Sequence, residues 1–136
     1  MTEFSRITYA VNEGVARITL DRVDVRNAQD KAMLYELNDA FDLASRDDAV
    51  KVIVLAANGP HFSSGHDLAD RSDVGDFTQV GNWGGFDKPG AEGRQALEEE
   101  IYLGLCWRWR NLPKPTIAEV QGKVIAGGLM LIWVCD

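Results

Sequence analysis

Cysteine is scarce in this chain. Only Cys106 and Cys135 occur in 136 residues, without a Cys-x-x-Cys spacing and without a histidine close by. Such a pair makes neither a metal site nor a disulfide framework, and it fits a reducing compartment. Long apolar runs are also missing: the longest candidate, Val124 to Cys135, falls short of membrane-spanning length and is broken by glycine. The opening Met1-Thr2-Glu3-Phe4-Ser5-Arg6 lacks the basic stretch and following apolar stretch of a secretory leader. A soluble, cytoplasmic protein with no membrane partner is the expectation. Excess basic charge is lacking as well, with 14 Lys and Arg against 21 Asp and Glu and a formal charge of -7. Phosphate-backbone binding needs a clustered basic face, so no nucleic-acid partner is expected. One local basic group, Arg108, Arg110, Lys114 and Lys123, reads as a solvated surface that could at most meet a phosphorylated small molecule.

What the chain does have is enough apolar content, 46%, for one modest core. Ile7–Val11 and Val15–Leu20 are β-branched, partly alternating runs around Asn12-Glu13-Gly14, which spells a hairpin. A helix is expected from about Ala28, capped by Asn27 with Asp30 in its first turn. Its residues Met33, Leu34, Leu37, Ala40, Phe41 and Ala44 recur at helical spacing and form one apolar face. Val50–Ala56 reads as a strand covered on both sides. Asn58–Asp70 reads as a loop turning into a short helix. Arg71–Gly93 is rich in glycine and aspartate and reads as a mobile segment over a site. Arg94–Asn111 returns to helix, with Leu97, Ile101, Leu105 and Trp109 on one stripe, and Pro113 and Pro115 stop it. Thr116–Val120 is a strand and Gly127-Gly128 opens a last helix. This order indicates mixed α/β structure. The first long helix and the last one present apolar faces with no evident cover, which favours association.

Two glycine-centred turns carry the chemistry. The first, Phe62-Ser63-Ser64-Gly65-His66-Asp67-Leu68, follows the buried strand. The second, Gly122-Lys123-Val124-Ile125-Ala126-Gly127-Gly128, enters the final helix. Glycine lets a backbone N–H approach a ligand, and a helix start adds unpaired donors and a positive dipole end. Two such turns meeting in space would form an oxyanion hole, although either alone is merely a turn in most proteins.

The order of these motifs resembles the signature of the crotonase superfamily, the enoyl-CoA hydratase/isomerase family. The resemblance rests on Ser64-Gly65-His66-Asp67-Leu68 behind an aliphatic strand, on Pro113-Lys114-Pro115-Thr116-Ile117-Ala118-Glu119-Val120-Gln121-Gly122, and on the Ala126-Gly127-Gly128 turn. The hairpin and Arg22 to Ala28 match the family's opening, so essentially the whole chain is covered. The resemblance implies an α/β, crotonase-like ββα spiral that is incomplete at the C-terminus, since Asp136 matches a mid-fold position. Residues 1–136 would be the N-terminal part of one core domain, and a complete chain would form a homo-trimer or hexamer.

Residue by residue, the resemblance implies an oxyanion hole made by the backbone amides of His66 and Gly127. Ser64 would lie along the adenine end of coenzyme A through its backbone. Arg26 and Ala28 would line the pantetheine and phosphate path, and Gly65, Asp67, Leu68 and Gly128 would complete the substrate-binding turns. Coenzyme A enters as part of an acyl-CoA substrate, with no tightly bound cofactor and no metal. Asp67 reads as the N-cap of a helix starting at Leu68, and the His66 ring is not read as a base. Where family hydratases carry a catalytic glutamate, three residues after the oxyanion glycine, this chain has Met130. Glu98, Glu99 and Glu100 read as a solvated face rather than as substitute acids, and Trp107 and Trp109 as packing residues. The expectation is an acyl-CoA thioester-binding enzyme of enoyl-CoA hydratase type that stabilises a thioester enolate. An enoyl-CoA isomerase, a non-catalytic acyl-CoA-binding protein and an inactive fragment remain as alternatives.

Overall fold

A computed structural model describes residues 3–136. Met1 and Thr2, part of the stretch read for a leader, lie outside them. Strands β1 (Ile7–Asn12) and β2 (Val15–Leu20) pair antiparallel, with Asn12 opposite Val15. Glu13 and Gly14 between them both take positive φ, 48° and 82°, which matches the twist of a tight hairpin. The chain then crosses over through helix α1 (Lys31–Arg46) to β3 (Val52–Ala57), which pairs parallel with β2. A short β4 (Thr116–Ala118) adds parallel to β3, giving one sheet in the order β1-β2-β3-β4. The expected strand to Val120 ends two residues earlier.

Ala16, Ile18 and Leu20 of β2 and Ile53 and Leu55 of β3 face inward and are fully buried. Against them lies the expected α1 face: Met33, Leu34, Leu37, Ala40, Phe41 and Ala44, none more than 1% exposed. That face is therefore covered, contrary to the expectation. The sheet and Trp109 close it, with the Trp109 and Phe41 ring centroids 5.3 Å apart. Helix α4 (Gly127–Trp133) is only half covered: Leu131 is buried, while Leu129 and Trp133 reach solvent.

The start of α1 corrects the capping assignment. Asp30, not Asn27, is the N-cap, and its carboxylate accepts from the Met33 N–H at 2.9 Å. Asn27 instead follows Arg26 in the left-handed region, with φ 53° and 55° respectively. Its side chain accepts from the Arg22 N–H and donates to the carbonyls of Asn58 and His61. Asparagine tolerates that conformation, so it serves as a loop pin rather than a helix cap.

The later helix is one continuous rod in three parts: α2 (Gly90–Glu98), a π turn (Glu99–Gly104) and α3 (Leu105–Arg110). It begins four residues before the expected Arg94. Its π turn buries Glu100, Ile101 and Tyr102 in succession, which one stripe of a regular α-helix does not do.

Asp30 also pairs with Arg6 at 2.8 Å and Arg22 at 3.4 Å, tying the segment before β1 to the start of α1. Replacing Asp30 by Ala removes the cap and both pairs and is expected to cost about 1–2 kcal/mol. The urea midpoint should fall with the slope of the transition unchanged.

Candidate functional site

Three segments far apart in sequence run side by side behind the sheet. Phe62 donates to the Gln121 carbonyl at 2.9 Å, Ile125 to Ser63 at 3.0 Å and Ser64 to Arg26 at 3.0 Å. Gln29 donates to Gly65 at 2.8 Å and Asp67 back to Gln29 at 2.9 Å. The two glycine turns thus meet, with the 26–29 segment as their third partner. At Gly65, φ is +88°, and an added Cβ would lie 2.7 Å from the Ile125 oxygen and 3.2 Å from the Gly127 nitrogen. At Gly127 a Cβ would lie 2.9 Å from Gln29 Oε1. At Gly65, with its positive φ and a backbone oxygen in the way, only glycine permits this approach.

Among the described residues, neither the His66 N–H nor the Gly127 N–H donates to a protein acceptor. Gly127 is the first residue of α4, where such donors are free by construction. Ala126 just before it holds φ 46° and ψ -112°, a conformation costing about 1–3 kcal/mol for a residue with a Cβ. Strain of that kind persists where the surroundings impose it, here between the Gly65 turn and α4.

A buried polar chain fixes the turns. Ser63 Oγ accepts from Gln29 Nε2 and from the Gly65 N–H, and it donates to the Asn27 carbonyl. Tyr102 Oη in turn donates to Gln29 Oε1 at 3.0 Å. The Tyr102 ring lies 3.9 Å from the His66 ring, and burial pushes its hydroxyl pKa well above the usual range. His66 and Tyr102 open onto a cavity of about 620 Å³, lined also by Glu98, Cys106, Met130 and Trp133. Gly127 is not among its lining residues; it lies buried just behind them. Burial pushes the Cys106 thiol up to about 12, so it stays protonated and is a poor nucleophile at neutral pH. On the other side of the first turn, Arg26, His61, Ser64 and Lys123 surround a smaller hollow of about 160 Å³.

The remaining candidates distribute as follows. Ala28 is buried, and its carbonyl accepts from the Arg22 guanidinium at 2.6 Å. Gly128 packs so closely that a Cβ would lie 2.9 Å from the Ser63 oxygen. Leu68 is 86% exposed. No helix follows Asp67, so it caps none; its carboxylate closes a local turn onto the Ala69 N–H and accepts from Arg22 at 3.0 Å. The basic group does not form one patch: Arg108 pairs with Asp42, Arg110 with Asp136, and Lys114 donates to the carbonyls of Ala44 and Asp47. Trp109 packs as expected, but Trp107 is 70% exposed.

Glu100 is the largest correction to the sequence reading. It is 1% exposed rather than solvated, and its carboxylate accepts from the N–H groups of Val80 and Gly81. The Tyr35 hydroxyl lies 3.4 Å from it. The π turn rotates Glu100 inward, where it anchors the 71–93 segment together with Phe77, which stacks on Tyr35 at 5.0 Å. Arg22, Gln29, Ser63 and Tyr102 are site residues that the sequence does not mark as such. Their links span up to 73 positions and leave no local pattern.

The ββα unit, with its paired glycine turns and short parallel β4, has the crotonase fold. The chain belongs to the enoyl-CoA hydratase/isomerase family, whose model matches residues 10–136. It is 44% identical, over 98% of its length, to a Mycobacterium tuberculosis protein that carries an enoyl-CoA hydratase name, EchA13. It is 31% identical, over 98% of its length, to a trans-2-decenoyl-acyl-carrier-protein isomerase of Streptococcus mutans. It spans 45% and 46% of those two relatives, somewhat under half their length. A crystal structure of an enoyl-CoA hydratase from Mycobacterium smegmatis superposes with a TM-score of 0.80 at 44% identity, over 96% of this chain and 46% of that one. One from Shewanella pealeana gives 0.81 at 30% identity, over 98% and 46%. Among the described residues, no helix is long and apolar enough to cross a membrane.

Replacing Glu100 by Ala deletes the anchor for Val80 and Gly81. Amide hydrogen exchange across residues 71–93 is expected to quicken by about tenfold or more, while exchange in β2 and β3 stays as it was.

Proposed function

We propose that this chain is part of an acyl-CoA thioester-binding enzyme in which the N–H groups of His66 and Gly127 hold the thioester oxygen. The observation that carries this reading is the meeting of the Gly65 and Gly127 turns, with the His66 and Gly127 N–H groups free of acceptors among the described residues. Two such donors stabilise the negative charge that develops on the oxygen when a proton leaves the adjacent carbon. The hollow around Arg26, Ser64 and Lys123 offers positive charge for the phosphate and adenine end of coenzyme A. The exposed Leu68 and the 71–93 segment form the outer edge of the path, and the segment would close over bound ligand. The apolar cavity takes the acyl chain. The exposed Ile117 and Leu129 suit contacts between copies in a homo-oligomer, a trimer or hexamer, and a soluble cytoplasmic enzyme is the natural setting.

Within the family's reactions, one observation favours double-bond isomerisation over hydration. Met130 lines the cavity at the position the resemblance assigns to a hydratase glutamate, and a thioether neither gives nor takes a proton. Hydration needs one group to activate water and another to protonate carbon. Isomerisation moves one proton between two carbons and needs one acid–base group. The relative named as an isomerase is consistent with this reading.

Full-length protein assayed with crotonyl-CoA tests the point. The wild type should bind crotonyl-CoA and hydrate it poorly, and Met130→Glu should raise hydration by about 10²-fold or more with affinity nearly unchanged. Wild-type turnover at typical hydratase rates, unchanged by Met130→Glu, would contradict this account of Met130.

A further inference from the structure

The two donor N–H groups belong to different turns, so their separation depends on whatever lies between those turns. We propose that Tyr102 is the positioning residue of the oxyanion hole: through Gln29, its hydroxyl sets where the His66 and Gly127 N–H groups stand relative to each other. The assignment rests on the acyl-thioester reading above.

Gln29 touches both halves of the site. Its backbone runs beside His66 as an isolated parallel bridge. The Gln29 N–H donates to the Gly65 carbonyl at 2.8 Å, and the Gln29 carbonyl accepts from the Asp67 N–H at 2.9 Å. It therefore grips the residues on either side of His66. Its side chain lies against the start of α4, where a Cβ on Gly127 would stand 2.9 Å from Gln29 Oε1 and 3.2 Å from Tyr102 Oη. One residue thus holds the first donor by its backbone and bears on the second through its amide.

Tyr102 fixes that amide. Gln29, Ser63 and Tyr102 are 3%, 0% and 4% exposed, so bulk water does not compete for their polar atoms. Ser63 Oγ gives its single proton to the Asn27 carbonyl at 2.8 Å, so it accepts from the Gly65 N–H and from Gln29 Nε2. That turns Gln29 Oε1 toward Tyr102, whose hydroxyl donates to it at 3.0 Å. Each donor and acceptor in the chain has one assignment, and the amide has one orientation. Burial holds the Tyr102 pKa well above the usual range, so the group stays a phenol at neutral pH and keeps donating to Gln29. The same ring lies on the His66 ring, with centroids 3.9 Å apart.

The π turn brings Tyr102 to this place. It buries Glu100, Ile101 and Tyr102 in succession, so the tyrosine reaches Gln29 while Leu105 and Trp109 of the same rod stay in the core. π turns recur at functional sites. Without the hydroxyl, Gln29 Oε1 is a buried acceptor with no donor, and the amide that bears on Gly127 loses its hold. Donors to a developing oxyanion act only when placed for it, so kcat suffers before affinity does.

The test uses full-length protein with 2,4-hexadienoyl-CoA, whose conjugated thioester absorbs at longer wavelength as its carbonyl is polarised. The wild type should bind it with a shift to longer wavelength. Tyr102→Phe keeps the ring on His66 and removes only the hydroxyl. It should bind within about twofold of wild type but with a smaller shift. On crotonyl-CoA or trans-3-hexenoyl-CoA, whichever the wild type turns over, its kcat should fall by about tenfold with KM within about twofold. Gln29→Met breaks the same link from the other side at similar size and should also shrink the shift, so either variant decides the point if the other does not fold. Tyr9→Phe, on β1, should match wild type. An undiminished shift in folded Tyr102→Phe or Gln29→Met overturns the proposal while leaving the hole intact, as does a Tyr102→Phe loss confined to KM. A wild type that does not bind the probe, or binds it without a shift, overturns the thioester reading itself and the proposal with it.

Discussion

The close approach of two backbone turns governs the rest of this structure. Gly65 comes so near the second turn that a Cβ on it would lie 2.7 Å from the Ile125 oxygen and 3.2 Å from the Gly127 nitrogen. The approach needs the ends of β3 and β4 at one edge of the sheet, because the two turns leave from those strands. It also needs the strained Ala126 and the left-handed pair Arg26 and Asn27, which bring the third segment alongside. None of these conformations is favourable alone. They hold because the sheet, α1 and the buried polar chain from Tyr102 to Asn27 fix every neighbour at once.

The fold and the cavity share one helical rod. Its α3 end closes the core through Trp109 against Phe41. Its α2 end presents Glu98 to the cavity, and the π turn between them buries Glu100 and Tyr102. One extra residue in a helical turn lets the same rod serve the core, the loop anchor and the cavity wall. A regular α-helix through Glu99–Gly104 would move these side chains out of step with one another.

Much of this was legible in the sequence because it depends on local pattern. The hairpin announced itself through β-branched runs around Glu13-Gly14, α1 through its apolar spacing, and both glycine turns through composition. The errors arose where two physical uses share one local signal. Asn27 and Asp30 are both good N-caps, and only the left-handed backbone at Arg26-Asn27 decides between them. Asp67 folds onto the Ala69 N–H in a short turn that, read locally, looks like the start of a helix. The run Glu98-Glu99-Glu100 carries no mark of a π turn, so the burial of its third member could not be read from spacing. The Tyr102–Gln29–Ser63 chain joins residues that only the tertiary fold brings together.

The central claim is that two backbone N–H groups, at His66 and Gly127, polarise a thioester carbonyl. Isotope-edited infrared spectroscopy of crotonyl-CoA labelled with ¹³C at the carbonyl, bound to the full-length protein, observes that bond itself. Two hydrogen bonds to the oxygen weaken the C=O bond, so the account predicts a stretch shifted to lower wavenumber than in free crotonyl-CoA. A bound thioester whose carbonyl stretch is the same as in water, or higher, would contradict it.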